Sequence, residues 1–162
     1  MNGGGARVIL LAAARRAGGP EPWGQDQQGR PVTRAQLVGH WLLINYWAEW
    51  CAPCRAEIGE LNALAQQQPD LQVLGVNFDG LQGKALFRAS QQLGIRFRVL
   101  ASDPGPRLGL VRSPVLPVSY LLDERGVLRE QLAGPQTAAR VKARLAALRA
   151  VSGPASDPAR SR

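Results

Sequence analysis

The stretch at residues 45–55, Asn-Tyr-Trp-Ala-Glu-Trp-Cys-Ala-Pro-Cys-Arg, constrains the fold of this chain more than any other. It contains both cysteines of the chain, Cys51 and Cys54. A nearly continuous apolar run at residues 41–47 leads into it, as is typical of a strand buried on both faces. Apolar residues at three- and four-residue spacing follow it, which indicates an amphipathic helix. The two thiols are therefore predicted at a strand-to-helix junction.

A helix N-terminus suits a reactive thiol, because its unpaired N–H groups and its dipole stabilise the thiolate. We expect Cys51 to begin the helix as the exposed nucleophile and Cys54, one turn further on and more buried, to resolve a mixed disulfide. Pro53 fits the first helical turn, where a missing N–H loses no hydrogen bond. Two alternatives are a zinc site, which needs about four ligands, and a structural disulfide, which closes too short a loop to stabilise much.

Two segments of the chain resemble the thioredoxin superfamily. Residues 47–54 resemble its active-site signature, with Ala52 where thioredoxin has glycine. Residues 116–126 resemble its second signature, in which a proline is cis and faces the cysteines. A strand predicted at 73–79 and a helix predicted at 81–93 lie between them, which is similar to the TlpA/ResA branch of thiol-disulfide oxidoreductases. The resemblance implies an α/β, thioredoxin-like three-layer fold, with a mixed central β-sheet flanked by helices and an inserted strand-helix unit.

The resemblance also implies roles for individual residues. Cys51 and Cys54 would form a redox-active disulfide that needs no other cofactor, and Pro117 would have a cis peptide bond. The backbone of Leu116 would then pair with a bound chain. We predict no metal ligands. The predicted substrate-binding residues are Trp50, Ala52, Pro53, Leu116 and Pro117.

The sequence offers two acidic residues, Asp79 and Glu49, as the proton acceptor for Cys54. Thioredoxin has a buried aspartate in the strand before its active site, whereas this chain has Asn45, whose amide cannot act as a base. Asp79 lies near the place where the ResA-like branch has an acidic residue with this role, so we expect burial near the thiols to raise its pKa. The alternatives are that Asp79 only ends the strand, and that Glu49 is the acceptor.

Patterns elsewhere predict the elements around this site. A turn at 26–32 leads into a short edge strand, and Thr33 is expected to cap a brief helix. Later strands are predicted at 96–100, 118–122 and 127–132, of which the last two form a hairpin. The final helix is predicted at 136–150. For the helix after the thiols, the residues expected to be exposed are Arg55, Glu57, Glu60 and Gln67.

Length and charge limit the classes of function. A chain of 162 residues is long enough for one domain with a full hydrophobic core. We expect the thioredoxin-like domain at 21–150, a disordered leader or degraded secretory signal at 1–20, a disordered tail at 151–162, and no transmembrane segment. The net charge of +8 comes from the two ends and the last helix, so a nucleic-acid groove is not expected.

The main hypothesis is a thiol-disulfide oxidoreductase that reduces protein disulfides. Ala52 and Pro53 supply no charge between the cysteines, so we expect a Cys51 pKa nearer the ~7 of thioredoxin than the ~3.5 of the strongest oxidant. Its partners would be a protein disulfide and an upstream thiol electron donor. We expect a monomer that is periplasmic or otherwise exported, with a cytoplasmic location as the other option.

Two other functions on the same fold are considered. A metal-binding or copper-chaperone module would need a histidine or methionine near the thiols, but the only methionine is Met1 and the only histidine is His40, which precedes the strand. A peroxidase would need a threonine-and-cysteine pocket, and the sequence does not show one.

Overall fold

A mixed five-stranded sheet forms the centre of the protein, which we describe from a computed structural model covering residues 22–153. The predicted leader at 1–20 and residues 154–162 of the predicted tail lie outside this range. The elements in chain order are β1 (Pro22–Gln25), β2 (Pro31–Thr33), α1 (Arg34–Leu37), β3 (Trp41–Trp47), α2 (Ala52–Gln67), β4 (Leu71–Asn77), α3 (Gly83–Gln92), β5 (Arg98–Leu100), α4 (Gly105–Leu108), β6 (Val118–Leu122), β7 (Leu128–Ala133) and α5 (Ala138–Ser152).

The strand order of the sheet is β5-β4-β3-β6-β7. β3 pairs in parallel with β4, and β4 with β5, because α2 and α3 carry the chain back across one face between these strands. β6 pairs antiparallel with both β3 and β7. All seven residues of β3 are buried, since this strand lies in the middle of the sheet and is covered on both faces. The predicted mixed sheet is confirmed.

Each face of the sheet has its own apolar core. On one face, alternate residues of β3 such as Trp41 and Leu43 pack with side chains of α2 and α5, including Ile58, Leu61 and Val141. α3 covers the same face near the end of β3. On the other face, the intervening residues of β3 pack with the separate β1–β2 hairpin and with α1. This arrangement gives the three layers expected from the sequence and places the end of β3 beneath α2 and α3.

The ends of some elements differ from the predicted ones by one or two residues. α5 begins at Ala138 rather than at residue 136, because the Thr137 side chain accepts the N–H of Arg140 (3.2 Å) and so caps the helix. Gln136 lies before the helix, and its N–H donates to Glu57 instead. Among residues 22–153, no helix is both long and apolar enough to cross a membrane.

Candidate active site

The two cysteines lie at the N-terminus of α2 and are bonded to each other as a disulfide. Cys51 is the N-cap residue, and its Sγ accepts the backbone N–H of Cys54 at 3.2 Å. Pro53 occupies the first turn, as predicted. The Sγ atom of Cys51 therefore lies where the free N–H groups and the dipole of a 16-residue helix stabilise a thiolate.

An apolar cluster surrounds the disulfide. Cys54 is fully buried and Cys51 is only 4% exposed, so Cys54 is the more buried of the two, as expected, but the predicted exposure of Cys51 is wrong. Trp47 and Ala48 from the end of β3 contribute to this cluster, together with Leu86 from α3. The predicted inserted strand-helix unit thus supplies part of the wall around the thiols, and a partner can reach only a small part of Cys51.

The exposed edge of the site consists of Trp50 and the segment after β4. Trp50 is 64% exposed, and its Nε1 donates to Oδ2 of Asp79 at 2.9 Å. The Phe78 ring meets the Trp50 ring edge-on, with 6.2 Å between centroids. Because Asp79 is exposed, the burial that we expected for it is wrong, and its contact in the structure is to the Trp50 indole.

The segment before β6 carries the predicted proline. The peptide bond between Leu116 and Pro117 is cis. The Pro117 carbonyl accepts the N–H of Gly134 at 2.9 Å. Leu116 packs against the cluster that contains the cysteines, and within residues 22–153 its backbone N–H and C=O make no hydrogen bond. These two backbone groups therefore remain available next to the disulfide.

Glu57 is a buried acid that we predicted to lie on the surface. Only 1% of the Glu57 surface is exposed, so the predicted exposure is wrong. One carboxylate oxygen accepts a hydrogen bond from Nδ2 of Asn45 (2.6 Å), and the other accepts one from the backbone N–H of Gln136 (2.8 Å). Burial raises the pKa of Glu57 above its usual range, while the hydrogen bonds from Gln136 and Asn45 act in the opposite direction. Glu57 is therefore an acid that binds a proton more readily than an exposed glutamate.

The sequence did contain a signal for this burial. Glu57 lies three residues after Cys54 and four before Leu61, so it falls within the apolar stripe of α2. Residues three apart in a helix are neighbours on its surface, about 5–6 Å apart at Cβ. Cys54 and Glu57 therefore face the same side of the site.

Asn45 connects Glu57 to the sheet. Its Nδ2 also donates to Ser119 Oγ at 3.0 Å, from β6. Asn45 Oδ1 and Gln136 Oε1 are buried, and neither has a hydrogen-bond partner among the described residues. A protonated Glu57 could therefore donate a hydrogen bond to one of these two oxygens after a rotation of the Asn45 or Gln136 amide.

The other polar residues considered from the sequence lie elsewhere. His40 and Glu49 are exposed, and His40 precedes β3 at the opposite end from the cysteines. Over residues 22–153, no three or more His, Cys, Asp or Glu side chains come together in a way that could hold a metal ion.

Sequence comparison relates the chain to proteins of disulfide chemistry. The thiol:disulfide interchange protein HelX of Rhodobacter capsulatus is 34% identical over 120 residues, which cover 72% of this chain and 64% of HelX. The thiol-disulfide oxidoreductase ResA of Bacillus thuringiensis is 32% identical over 117 residues, which cover 69% of this chain and 65% of ResA. The chain thus spans 64–65% of the length of these curated relatives.

Structural comparison agrees with the described sheet. A DsbF homologue from Corynebacterium diphtheriae superposes with a TM-score of 0.66 at 20% identity, over 79% of this chain and 85% of that one. The predicted thioredoxin-like fold is confirmed. The sequence pattern of the AhpC/TSA family matches residues 19–131. The chain therefore belongs to the AhpC/TSA family.

Proposed function

We propose that this protein is a thiol-disulfide oxidoreductase that reduces disulfides of partner proteins through the Cys51–Cys54 couple, with no further cofactor. The observation that supports the proposal is the disulfide at the N-terminus of α2, where Cys51 Sγ accepts the N–H of Cys54. HelX and ResA are named for thiol:disulfide interchange and thiol-disulfide oxidoreduction, respectively.

The reaction begins from the dithiol form. The Cys51 thiolate attacks one sulfur of the partner disulfide, the partner S–S bond breaks, and its other sulfur leaves as a thiolate that takes up a proton. Cys54 then loses its proton and attacks Cys51 Sγ, which forms the Cys51–Cys54 disulfide and releases the second partner sulfur. Two electrons pass to the partner, and an upstream thiol donor restores the dithiol.

Glu57 is the proposed acceptor for the Cys54 proton. It is buried on the same side of α2 as Cys54, one turn away, and its raised pKa brings it closer to the pKa at which a general base acts near neutral pH. Asp79, which the sequence suggested for this role, is exposed and bonded to Trp50. Burial and helix position both favour Glu57 over Asp79.

The partner is proposed to bind as an extended chain beside the disulfide. The unpaired backbone groups of Leu116 suit main-chain hydrogen bonds, which give affinity with little dependence on sequence. Ala52 and Pro53 are exposed at the start of α2, and Trp50 offers an exposed apolar ring. The proposed substrate-binding residues are Trp50, Ala52, Pro53, Leu116 and Pro117.

We also propose that the protein acts as a monomer and is exported to the periplasm or beyond. A protein with the same fold from Corynebacterium glutamicum is described as a secreted thiol-disulfide isomerase. Cell fractionation tests the location, and light scattering of the purified protein tests the monomeric state.

Trapping experiments test the order of the two thiols. The Cys54→Ser variant, reduced and mixed with insulin as a disulfide substrate, is expected to accumulate a mixed disulfide, because Cys51 can attack but nothing resolves the product. The Cys51→Ser variant is expected to accumulate none, because Cys54 is fully buried. Non-reducing electrophoresis with and without dithiothreitol measures the adduct. Equal trapping by both variants, or trapping by Cys51→Ser alone, would contradict the assignment.

Two further assays separate this function from its alternatives. The wild-type protein is expected to catalyse insulin reduction by dithiothreitol, while hydrogen peroxide is not turned over at a comparable rate. Tight binding of one copper ion per reduced protein, without insulin reduction, would instead favour the copper-chaperone hypothesis.

A further inference from the structure

Four side chains form a continuous row that includes Trp50, the residue before Cys51. Asp79 accepts the indole N–H of Trp50, and the Trp50 ring meets the Phe78 ring. The guanidinium of Arg112 lies over the Phe78 ring, 4.1 Å from the ring centroid. Its Nη2 donates a hydrogen bond to the backbone carbonyl of Phe78. An arginine can make both contacts at once, because its planar group stacks on a ring while its N–H groups donate in the plane.

Arg112 belongs to a segment with no regular secondary structure. Residues 109–117 connect α4 to β6 and end at Pro117. The Tyr120 hydroxyl donates to the carbonyl of Val111 at 2.7 Å, which holds this segment to the sheet. In the described part of the chain, Arg112 makes the one hydrogen bond that joins this segment to the residues after β4. Arg112 therefore links two loops that each pack a residue, Phe78 and Leu116, against the cluster that contains the cysteines.

Exposed apolar side chains flank this link. Val111 is 82% exposed and Val115 is 64% exposed, and both belong to the same segment as Arg112. Trp50 is 64% exposed on the other side of Phe78. Large apolar side chains that remain in water at the edge of a reactive group are typical of a surface that a partner covers. We call Trp50, Phe78, Val111 and Val115 the apolar rim.

We propose that Arg112 is a positioning residue that holds the apolar rim in place for a cysteine-containing segment of a partner protein. This inference rests on the proposed reductase function. Arg112 holds Phe78, and Phe78 in turn limits the orientation of Trp50, so the rim presents a formed surface beside Cys51. The partner it fits is an extended segment with an apolar side chain next to its disulfide. A small disulfide reaches Cys51 without covering the rim and does not depend on Arg112.

Kinetics with two substrates test this inference. The Arg112→Ala variant is expected to raise KM for reduction of insulin about tenfold while kcat changes less than about twofold, because the rim contributes to binding rather than to the thiol chemistry. With oxidised glutathione as the small disulfide, kcat/KM is expected to remain within about twofold of wild type. Arg112→Lys keeps the charge but not the planar group, and it is expected to behave like Arg112→Ala.

Fluorescence gives a readout that does not depend on activity. The contribution of Trp50 to the emission spectrum is the difference between the spectrum of each protein and that of the same protein carrying Trp50→Phe. In Arg112→Ala this contribution is expected to shift to longer wavelength and to be quenched more readily by acrylamide. The matched control is Arg149→Ala, which removes an arginine from above the Trp41 ring (5.7 Å) at the far end of β3. It is expected to change neither the KM for insulin nor the Trp50 contribution.

The outcomes separate this inference from the proposed function. A wild-type protein that reduces neither disulfide contradicts the proposed function. A wild-type protein that is active while Arg112→Ala keeps its KM for insulin, or loses equal activity on both disulfides, overturns the role of Arg112. An unchanged Trp50 signal in Arg112→Ala overturns it as well, as does wild-type behaviour of Arg112→Lys.

Discussion

Replacing Glu57 by glutamine separates its proposed proton transfer from its structural role. The carboxylate accepts two buried donors, Asn45 Nδ2 and the Gln136 N–H. A glutamine side chain can still accept the Gln136 N–H with its oxygen. Its NH2 group can donate to Asn45 Oδ1, which has no partner among the described residues, if the Asn45 amide rotates. Glu57→Gln is therefore expected to fold, with the free energy of unfolding within about 1 kcal/mol of wild type near pH 5.

Glu57→Leu gives the contrasting stability. It leaves the Gln136 N–H buried without an acceptor, which is expected to lower the free energy of unfolding by about 1–3 kcal/mol.

The stability difference between Glu57→Gln and wild type depends on pH. Because the folded-state pKa of Glu57 is raised, the stability that its protonated form contributes is full below the ordinary value of 4.5 and is lost as pH rises through the folded pKa. Glutamine has no such loss, so its stability relative to wild type should increase with pH.

The rate effect is expected in the second chemical step. Glu57→Gln cannot accept the proton of Cys54, so breakdown of the mixed disulfide should slow by about 10²-fold or more, the usual contribution of a positioned base. The attack by Cys51 should be unchanged. Rapid-quench experiments with reduced protein and insulin, analysed on non-reducing gels, measure formation and breakdown of the mixed disulfide separately.

Two controls complete this experiment. Glu60→Gln removes an exposed carboxylate that also accepts a backbone N–H from the start of α5, that of Ala138 at 2.8 Å. It should leave mixed-disulfide breakdown unchanged. Asp79→Asn keeps an acceptor for Trp50 and should also leave it unchanged. Wild-type breakdown rates for Glu57→Gln from pH 5 to 9 would refute the reasoning, and a slow Asp79→Asn variant would transfer the role to Asp79.

Three further predictions concern stability. Asp26 is buried, which by itself raises its pKa, but hydrogen bonds from Arg30 and Gln28 lower the pKa below 3.8 overall. The stability that ionised Asp26 contributes is therefore present above about pH 4 and lost as pH falls through the lowered pKa. Asp26→Asn should lower the free energy of unfolding by about 1–3 kcal/mol at pH 7 and by less in acid. A difference from wild type that does not vary with pH in urea unfolding contradicts this. Gly75→Ala should cost about 1–3 kcal/mol, because its Cβ would lie 3.0 Å from Phe97 Cε2 and from Trp47 Nε1. Gly59→Ala, in an open part of α2, should instead stabilise the protein by about 0.5–1 kcal/mol. If Gly75→Ala is as stable as wild type in the same urea titration, the core relaxes around the new methyl group and the prediction is wrong.

The sequence by itself determined the sheet and the position of the cysteines. The apolar run of β3 and the helical spacing of α2 are local patterns, and backbone hydrogen bonding allows few ways to bury them. The apolar run before Cys51 and the helical spacing after Cys54 place both cysteines at the first turn of α2. Turn composition at 123–126 likewise predicted the β6–β7 hairpin, since such a turn permits only antiparallel strands.

The tertiary structure alone decided the environment of the site. The partners of Glu57 lie 12 and 79 residues away in the sequence, and the Phe78 partner of Arg112 lies 34 residues away. Whether a glutamate within an apolar stripe is buried depends on donors that β3 and the segment before α5 bring to it, and local spacing does not encode these donors. Asp79 shows the same limit, because the indole that it binds lies 29 residues earlier. Burial and hydrogen-bond partners follow from packing between distant segments, and these two properties set which acid can bind a proton beside the thiols.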